Sequence, residues 1–221
     1  TYLTFVLTNQ NKPNIMNKLS IHQDSNSMNP RTEWDNLGTI AYKHGRYTLG
    51  EERISDPIDW LEGMLNLNPK YIYNNDRLAE LEDKFFEKYI VHKLYLYDHS
   101  GISLSTSPFS CPWDSSQVGY IYVSKETAYK EYGIKRITKE WKDKILLYLE
   151  GEVETFNQYL NNDVYGFTIE DEDGNVIDSC GGFYGDDFVN NGMIEHIDSD
   201  KLGMSETELI EYLKKVDVEY A

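Results

Sequence analysis

The sequence predicts an α+β fold, a mostly antiparallel sheet with several flanking helices, in a single domain over residues 1–221. Three observations predict it. Strand–turn–strand patterns recur: Val91–Tyr97 and Ile102–Thr106 flank Asp98-His99-Ser100-Gly101, and Val164–Glu170 and Val176–Ser179 flank Asp171-Glu172-Asp173-Gly174-Asn175. Adjacent hairpins imply antiparallel pairing. Other stretches carry apolar residues at helical spacing. Hydrophobic residues make up 40% of the 221 and aromatics 14%, enough for a real core and too many for a disordered chain.

The opening residues, Thr1 to Thr8, alternate polar and apolar like a strand and lack the basic n-region of a signal peptide. Met16 is a candidate internal start, so residues 1–15 are a candidate extension. Lys18–Gln23 reads as a strand and Asp24–Pro30 as a loop. Gly38–Leu49 reads as a hairpin around His44-Gly45. Pro57 in a first turn after Asp56 starts a helix. Leu78, Leu81, Phe85, Phe86 and Tyr89 make Asp76–Tyr89 an amphipathic helix. Val118–Val123 is a further strand, after which Ser124 caps a helix over Lys125–Tyr132. Thr138–Gly151 is a longer helix that Gly151 is expected to stop, with a second short helix over Glu154–Leu160. The strand at Val164–Glu170 is expected to join the main sheet. Ser205 and Glu208 form a capping box for the terminal helix, Ser205–Lys215.

Charge divides the chain unevenly. Residues 150–221 hold 19 Asp and Glu against three Lys, whereas residues 1–149 hold 19 acidic and 18 basic residues. Folding does not require such a split; concentrated charge mainly sets partner choice. This acidic third, 150–221, should repel nucleic acid and attract a basic surface. Any division near residue 150 is read as one of charge, not of fold. No run approaches the length of a membrane helix, so no membrane partner is expected. Cys111 and Cys180 are too few for a disulfide scaffold, which points to a reduced, cytoplasmic setting.

Several segments have the ingredients of chemistry. Cys111, with His99 as base and Asp98 as orienter, could form a nucleophilic site, yet no activating cation is visible, so no catalytic residue is favoured. Asp24, Glu33 and Asp35 fit no standard metal loop, and Asp171–Asp178 does not meet the EF-hand spacing. His22, His44, His92, His99 and His196 form no i, i+4 pair. Neither a metal nor a cofactor is therefore expected. Lys125, Lys130, Lys135, Arg136, Lys139, Lys142 and Lys144 interleave with acids and read as a solvated helical face.

Three segments are distinctive: Glu33-Trp34-Asp35-Asn36-Leu37-Gly38-Thr39, Pro108-Phe109-Ser110-Cys111-Pro112-Trp113-Asp114-Ser115 and Gly151-Glu152-Val153-Glu154-Thr155. In these the chain resembles a family of small acidic accessory proteins of bacteriophages and prophages, over roughly residues 16–190. The resemblance implies a context, the host bacterial cytoplasm and interference with host defence, and no catalytic residues.

The expected function is binding. An acidic surface would occupy the Lys/Arg-lined groove of a host nucleic-acid-handling defence complex, of restriction or CRISPR type, without direct nucleic acid binding. Duplex DNA carries a charge per about 1.7 Å, so sixteen net charges match roughly eight base pairs, about 27 Å. The expected partner-binding residues are Glu170, Asp171, Glu172, Asp173, Asp178, Asp186, Asp187, Glu195, Asp198 and Asp200, with Glu206, Glu208 and Glu211 added by the terminal helix. The alternatives are a small Cys- or metal-dependent hydrolase of a signalling nucleotide, and a protein–protein adaptor or virion component, for which the 18 Tyr are candidate anchors and a homo-oligomer is compatible.

Overall fold

The structure is a computed structural model and describes residues 3–4 and 17–216. The fold is α+β, as the hairpins and helical periods predict. The chain divides into two compact units: a central unit, Pro30–Asn157, and a split unit made of Thr1–Asn29 with Gln158–Ala221. The single domain expected over 1–221 and the charge boundary near 150 thus stand beside a division at 157/158.

The central unit begins with α1 (Pro30–Glu33), β3 (Thr39–Tyr42) and β4 (Glu52–Arg53), the split unit having supplied β1 (Leu3–Thr4) and β2 (Lys18–Gln23). Then come α2 (Pro57–Met64), α3 (Asn75–Lys88), β5 (Tyr89–Asp98), β6 (Ile102–Ser105), β7 (Ser115–Ser124), α4 (Lys125–Tyr132) and α5 (Lys139–Leu160). The sheet order is β4-β3-β7-β5-β6, antiparallel except for the short parallel β3–β4 pair. The pleat sends alternate residues of β7 to opposite faces. Tyr120 and Tyr122 meet Trp60 of α2 and Phe85 of α3 in a cluster of stacked and edge-on rings. On the other face Ile121 pairs with Ile40 and His92, and His92 Nε2 lies 3.1 Å from the Leu146 carbonyl of α5. Ile145, Leu149, Val153 and Phe156 are the buried stripe of α5.

The expected hairpin at Gly38–Leu49 is corrected. β3 pairs with β7, and Arg46–Leu49 is not a strand. His44 explains it: its Nδ1 accepts the Arg46 and Tyr47 amides at 3.3 and 3.1 Å, closing a side-chain turn where a strand would have to start. The stop at Gly151 and the separate helix at Glu154–Leu160 are also corrected, because α5 is one helix of 22 residues. Glycine inside a helix costs about 1 kcal/mol. Burying Val153 and Phe156, both 2% exposed, contributes about 1.5–3 kcal/mol each and wins.

The split unit holds β8 (Val164–Glu170), β9 (Val176–Tyr184), α6 (Met193–His196), a 3-10 turn (Ser199–Leu202) and α7 (Glu206–Leu213). Its sheet order is β1-β2-β8-β9, all antiparallel. The expectation that β8 joins the main sheet is corrected: it lies between β2 and β9 in a separate sheet, because its partners come from the N-terminal strand and its own hairpin. The buried side chains Leu19, Ile21, Tyr165, Phe167 and Ile169 of this sheet cluster with Phe188, Met193, Ile197, Leu209 and Leu213. The capping box at Ser205 is complete. Of the expected N-terminal strand, Leu3 and Thr4 pair with Ile21 and Ser20; the rest of residues 1–15 lies outside the described residues.

Candidate functional site

The acidic residues expected to bind a partner lie in the split unit, which carries 17 Asp and Glu against five Lys, a net of -12. They form groups around β9. Asp171, Glu172 and Asp173 occupy the hairpin turn before it, and Asp186 and Asp187 the loop after it. Nine residues of strand at about 3.3 Å each separate the two groups by roughly 25–30 Å. β9 is the edge of its sheet, and Val176 and Ile177 beside the turn are exposed.

Many of these acids also hold local structure. Asp171 Oδ1 accepts the amides of Asp173 and Asn175 at 3.0 and 2.8 Å, and its carboxylate accepts the Asn175 side chain. Asp187 does the same for Val189 and Asn190, and Asp198 for Asp200. Glu170 pairs with Lys18 at 3.2 Å and Asp178 with Lys201 at 2.7 Å. The register places these two pairs apart: Asp178 is opposite Ile169, on the helix-covered face, and Glu170 is opposite Lys18, on the other. Glu172, Asp173, Asp186, Glu195, Asp198 and Asp200 are exposed. Of the terminal helix, Glu208 closes the capping box, and Glu206 and Glu211 are exposed.

These bonds bias titration. The Asn175 side chain holds Asp171 below its ordinary range, Lys201 does so for Asp178, and the Asn190 side chain for Asp187. In the window between the folded and unfolded values the unfolded chain binds more protons, so this contribution is present above the usual carboxylate range and lost as pH falls. Burial acts oppositely on Asp163, whose raised pKa favours the fold as pH falls. At pH 7 the net charge of -17 adds self-repulsion that fades toward the pI near 4.6. The expected result is a melting temperature that rises from pH 7 to about 5 and falls below about 4. Calorimetry across pH 3–8 checks it; a monotonic fall from pH 7 would contradict it.

The cysteine site is arranged differently from the expected Cys111, His99 and Asp98. Cys111 Sγ donates to Asp114 Oδ2 at 3.3 Å, and His99 Nδ1 lies 3.7 Å from Asp114 Oδ1. Asp98 turns to Arg46 and the Tyr47 hydroxyl. The acid between thiol and imidazole is therefore Asp114, and the thiol's hydrogen bond goes to a carboxylate where a nucleophile needs its base. Among the described residues no group of three or more His, Cys, Asp or Glu is placed to hold a metal ion.

A second feature was not expected from the sequence: a groove of about 650 Å³ in the central unit. Trp34, Tyr132, Leu147 and Tyr148 give it apolar walls, Lys144 and Asp35 also line it, and Gly151 leaves a gap in α5. Burial pushes the Tyr132 phenol up. Beneath it lies a buried ion network. Arg31, with 2% of its side chain exposed, pairs with Glu51 and Glu152 and donates to Asn36 Oδ1 and the Gly38 carbonyl at 3.0 and 2.6 Å. Glu152 accepts the Leu37 and Gly38 amides, and Asn36 Nδ2 donates to the Pro30 and Trp34 carbonyls. This network fixes the segment that presents Trp34. Two of the three distinctive segments, residues 33–39 and 151–155, meet here, while 108–115 lies before and into β7. The sequence signal that could have found the groove was the exposed set Lys144, Leu147, Tyr148 and Gly151, at i, i+3, i+4 and i+7 on α5 and beside its core stripe.

Comparison with protein-family models, curated proteins and solved structures found no significant match. Among the described residues no helix is long and apolar enough to cross a membrane.

Proposed function

We propose that this chain is a phage-encoded anti-defence protein that binds and inhibits a host nucleic-acid-handling complex through the acidic surface of the split unit. The observation that carries the reading is the pair of acidic groups at the two ends of β9, roughly 25–30 Å apart, in a unit with a net charge of -12. Twelve net charges match roughly six base pairs of duplex DNA, about 20 Å, so the two groups span somewhat more than that length. Asp171 and Asp187, held ionised by their turns, keep the two ends charged. A Lys/Arg-lined groove is the complementary surface, reached by fast, salt-sensitive association. The resemblance of the three segments to phage accessory proteins supplies the cellular context. The Cys111 geometry favours this binding reading over the hydrolase.

The test is affinity capture from a bacterial lysate at low and high salt. Recovery of a nuclease or CRISPR-type complex that is lost at high salt is the expected outcome. Recovery of no basic or nucleic-acid-binding partner at low salt would refute the proposal.

A further inference from the structure

We infer that the groove of the central unit is a second docking site, for a basic amphipathic helix of about three turns. The inference rests on the reading that the partner is basic and adds a contact far in sequence from β9.

The exposed apolar side chains ask for cover. Trp34 is 46% exposed, Leu147 68% and Tyr148 51%, and Trp and Tyr are the residues most often found to dominate interfaces. Exposed apolar residues gathered around one depression mark an interaction site more than solvent-facing scatter does.

Shape and charge then select the occupant. From Lys144 to Thr155 the groove follows α5 for eleven residues, about 16 Å, the length of about three helical turns. A volume of about 650 Å³ takes the apolar side chains of one helix face and leaves the rest of the helix in solvent. The lips are acidic. Glu33 and Asp35 are exposed on the loop side. On the helix side Glu140, Asp143, Leu147, Gly151 and Glu154 follow one another at i, i+3, i+7, i+11 and i+14, a single row, and all are exposed. Glu152 adds no free charge to the floor, because Arg31 and two amides already hold it. Lys144 is the cation of the lining, and it lies over the Trp141 ring at 4.9 Å. In the lining Asp35 and Lys144 balance, and the exposed flanking carboxylates Glu33, Glu140, Asp143 and Glu154 tip the rim to acidic, which matches a helix whose apolar stripe is flanked by Lys or Arg. Apolar anchors at i, i+3/i+4 and i+7 are the usual way such a groove is filled.

The probe is a synthetic helical peptide of about 12 residues with Leu and Trp on one face and Lys on the other, titrated calorimetrically into the full chain. A second peptide carries Glu in place of Lys. The expected affinity is about 10–100 μM for the basic peptide, at least tenfold weaker for the acidic one. A Cβ at residue 151 meets no atom within 4 Å, so Gly151→Leu places its side chain in the gap and should weaken the basic peptide at least tenfold. Leu147→Glu should do the same. The E172K/D173K/D186K/E195K variant of the split unit should retain binding within about threefold. Binding unchanged by Gly151→Leu, or lost in the split-unit variant, would overturn the inference. Failure of lysate capture with the groove effects intact would sink the proposed target and leave the groove standing.

Discussion

Arg31→Ala is expected to destabilise the central unit by about 3–5 kcal/mol, the usual cost of removing one partner from a buried ion pair. Two carboxylates depend on this guanidinium, and the side chain of Glu152 is only 8% exposed. Alanine leaves Glu152 charged and enclosed, with only the Leu37 and Gly38 amides to satisfy it. It also frees the Gly38 carbonyl and Asn36 Oδ1. A loss of this size lowers the melting temperature by about 10–20 °C in a unit of this length. Urea unfolding followed by tryptophan fluorescence measures it. Arg31→Ala combined with Glu152→Gln should recover part of the loss, because the stranded charge is gone. A change under about 1 kcal/mol in the single variant would mean that the network does not hold the segment.

The second large effect is on binding. Reversing Glu172, Asp173, Asp186 and Glu195 to Lys changes the split unit by eight charges and should weaken the captured partner at least about hundredfold at low salt, mainly through slower association. These four are exposed. Asp171 and Asp187 are left alone because their carboxylates close turns, and reversal there would confuse folding with binding. Cys111→Ala should leave affinity unchanged. A chain disabled by Cys111→Ala and indifferent to charge reversal would instead be an enzyme.

The parts of the fold legible in the sequence are those whose cause is local. Ser124 caps Thr127 three residues on, and α4 covers the expected Lys125–Tyr132. The Asp171–Asn175 turn and the Ser205 capping box are likewise set within five residues. What the sequence hid depends on distant partners. Nothing near Gly151 announces that Val153 and Phe156 will be buried and carry the helix through. Nothing near Val164 says that it pairs with a strand from the N-terminal end of the chain. The Arg31–Glu152 pair joins residues 121 apart, so the motif around Trp34 read as a turn while its anchor lay elsewhere. The acidic residues were legible as charge, but their grouping at the two ends of β9 and the split of Glu170 from Asp178 needed the register.

The most direct measurement is the dissociation constant for the captured partner as a function of salt, for the parent chain and the charge-reversed variant together. Log affinity is expected to fall steeply with log salt between about 50 and 500 mM, with the variant's line lower and flatter. Equal affinities for the two chains, independent of salt across that range, would contradict it.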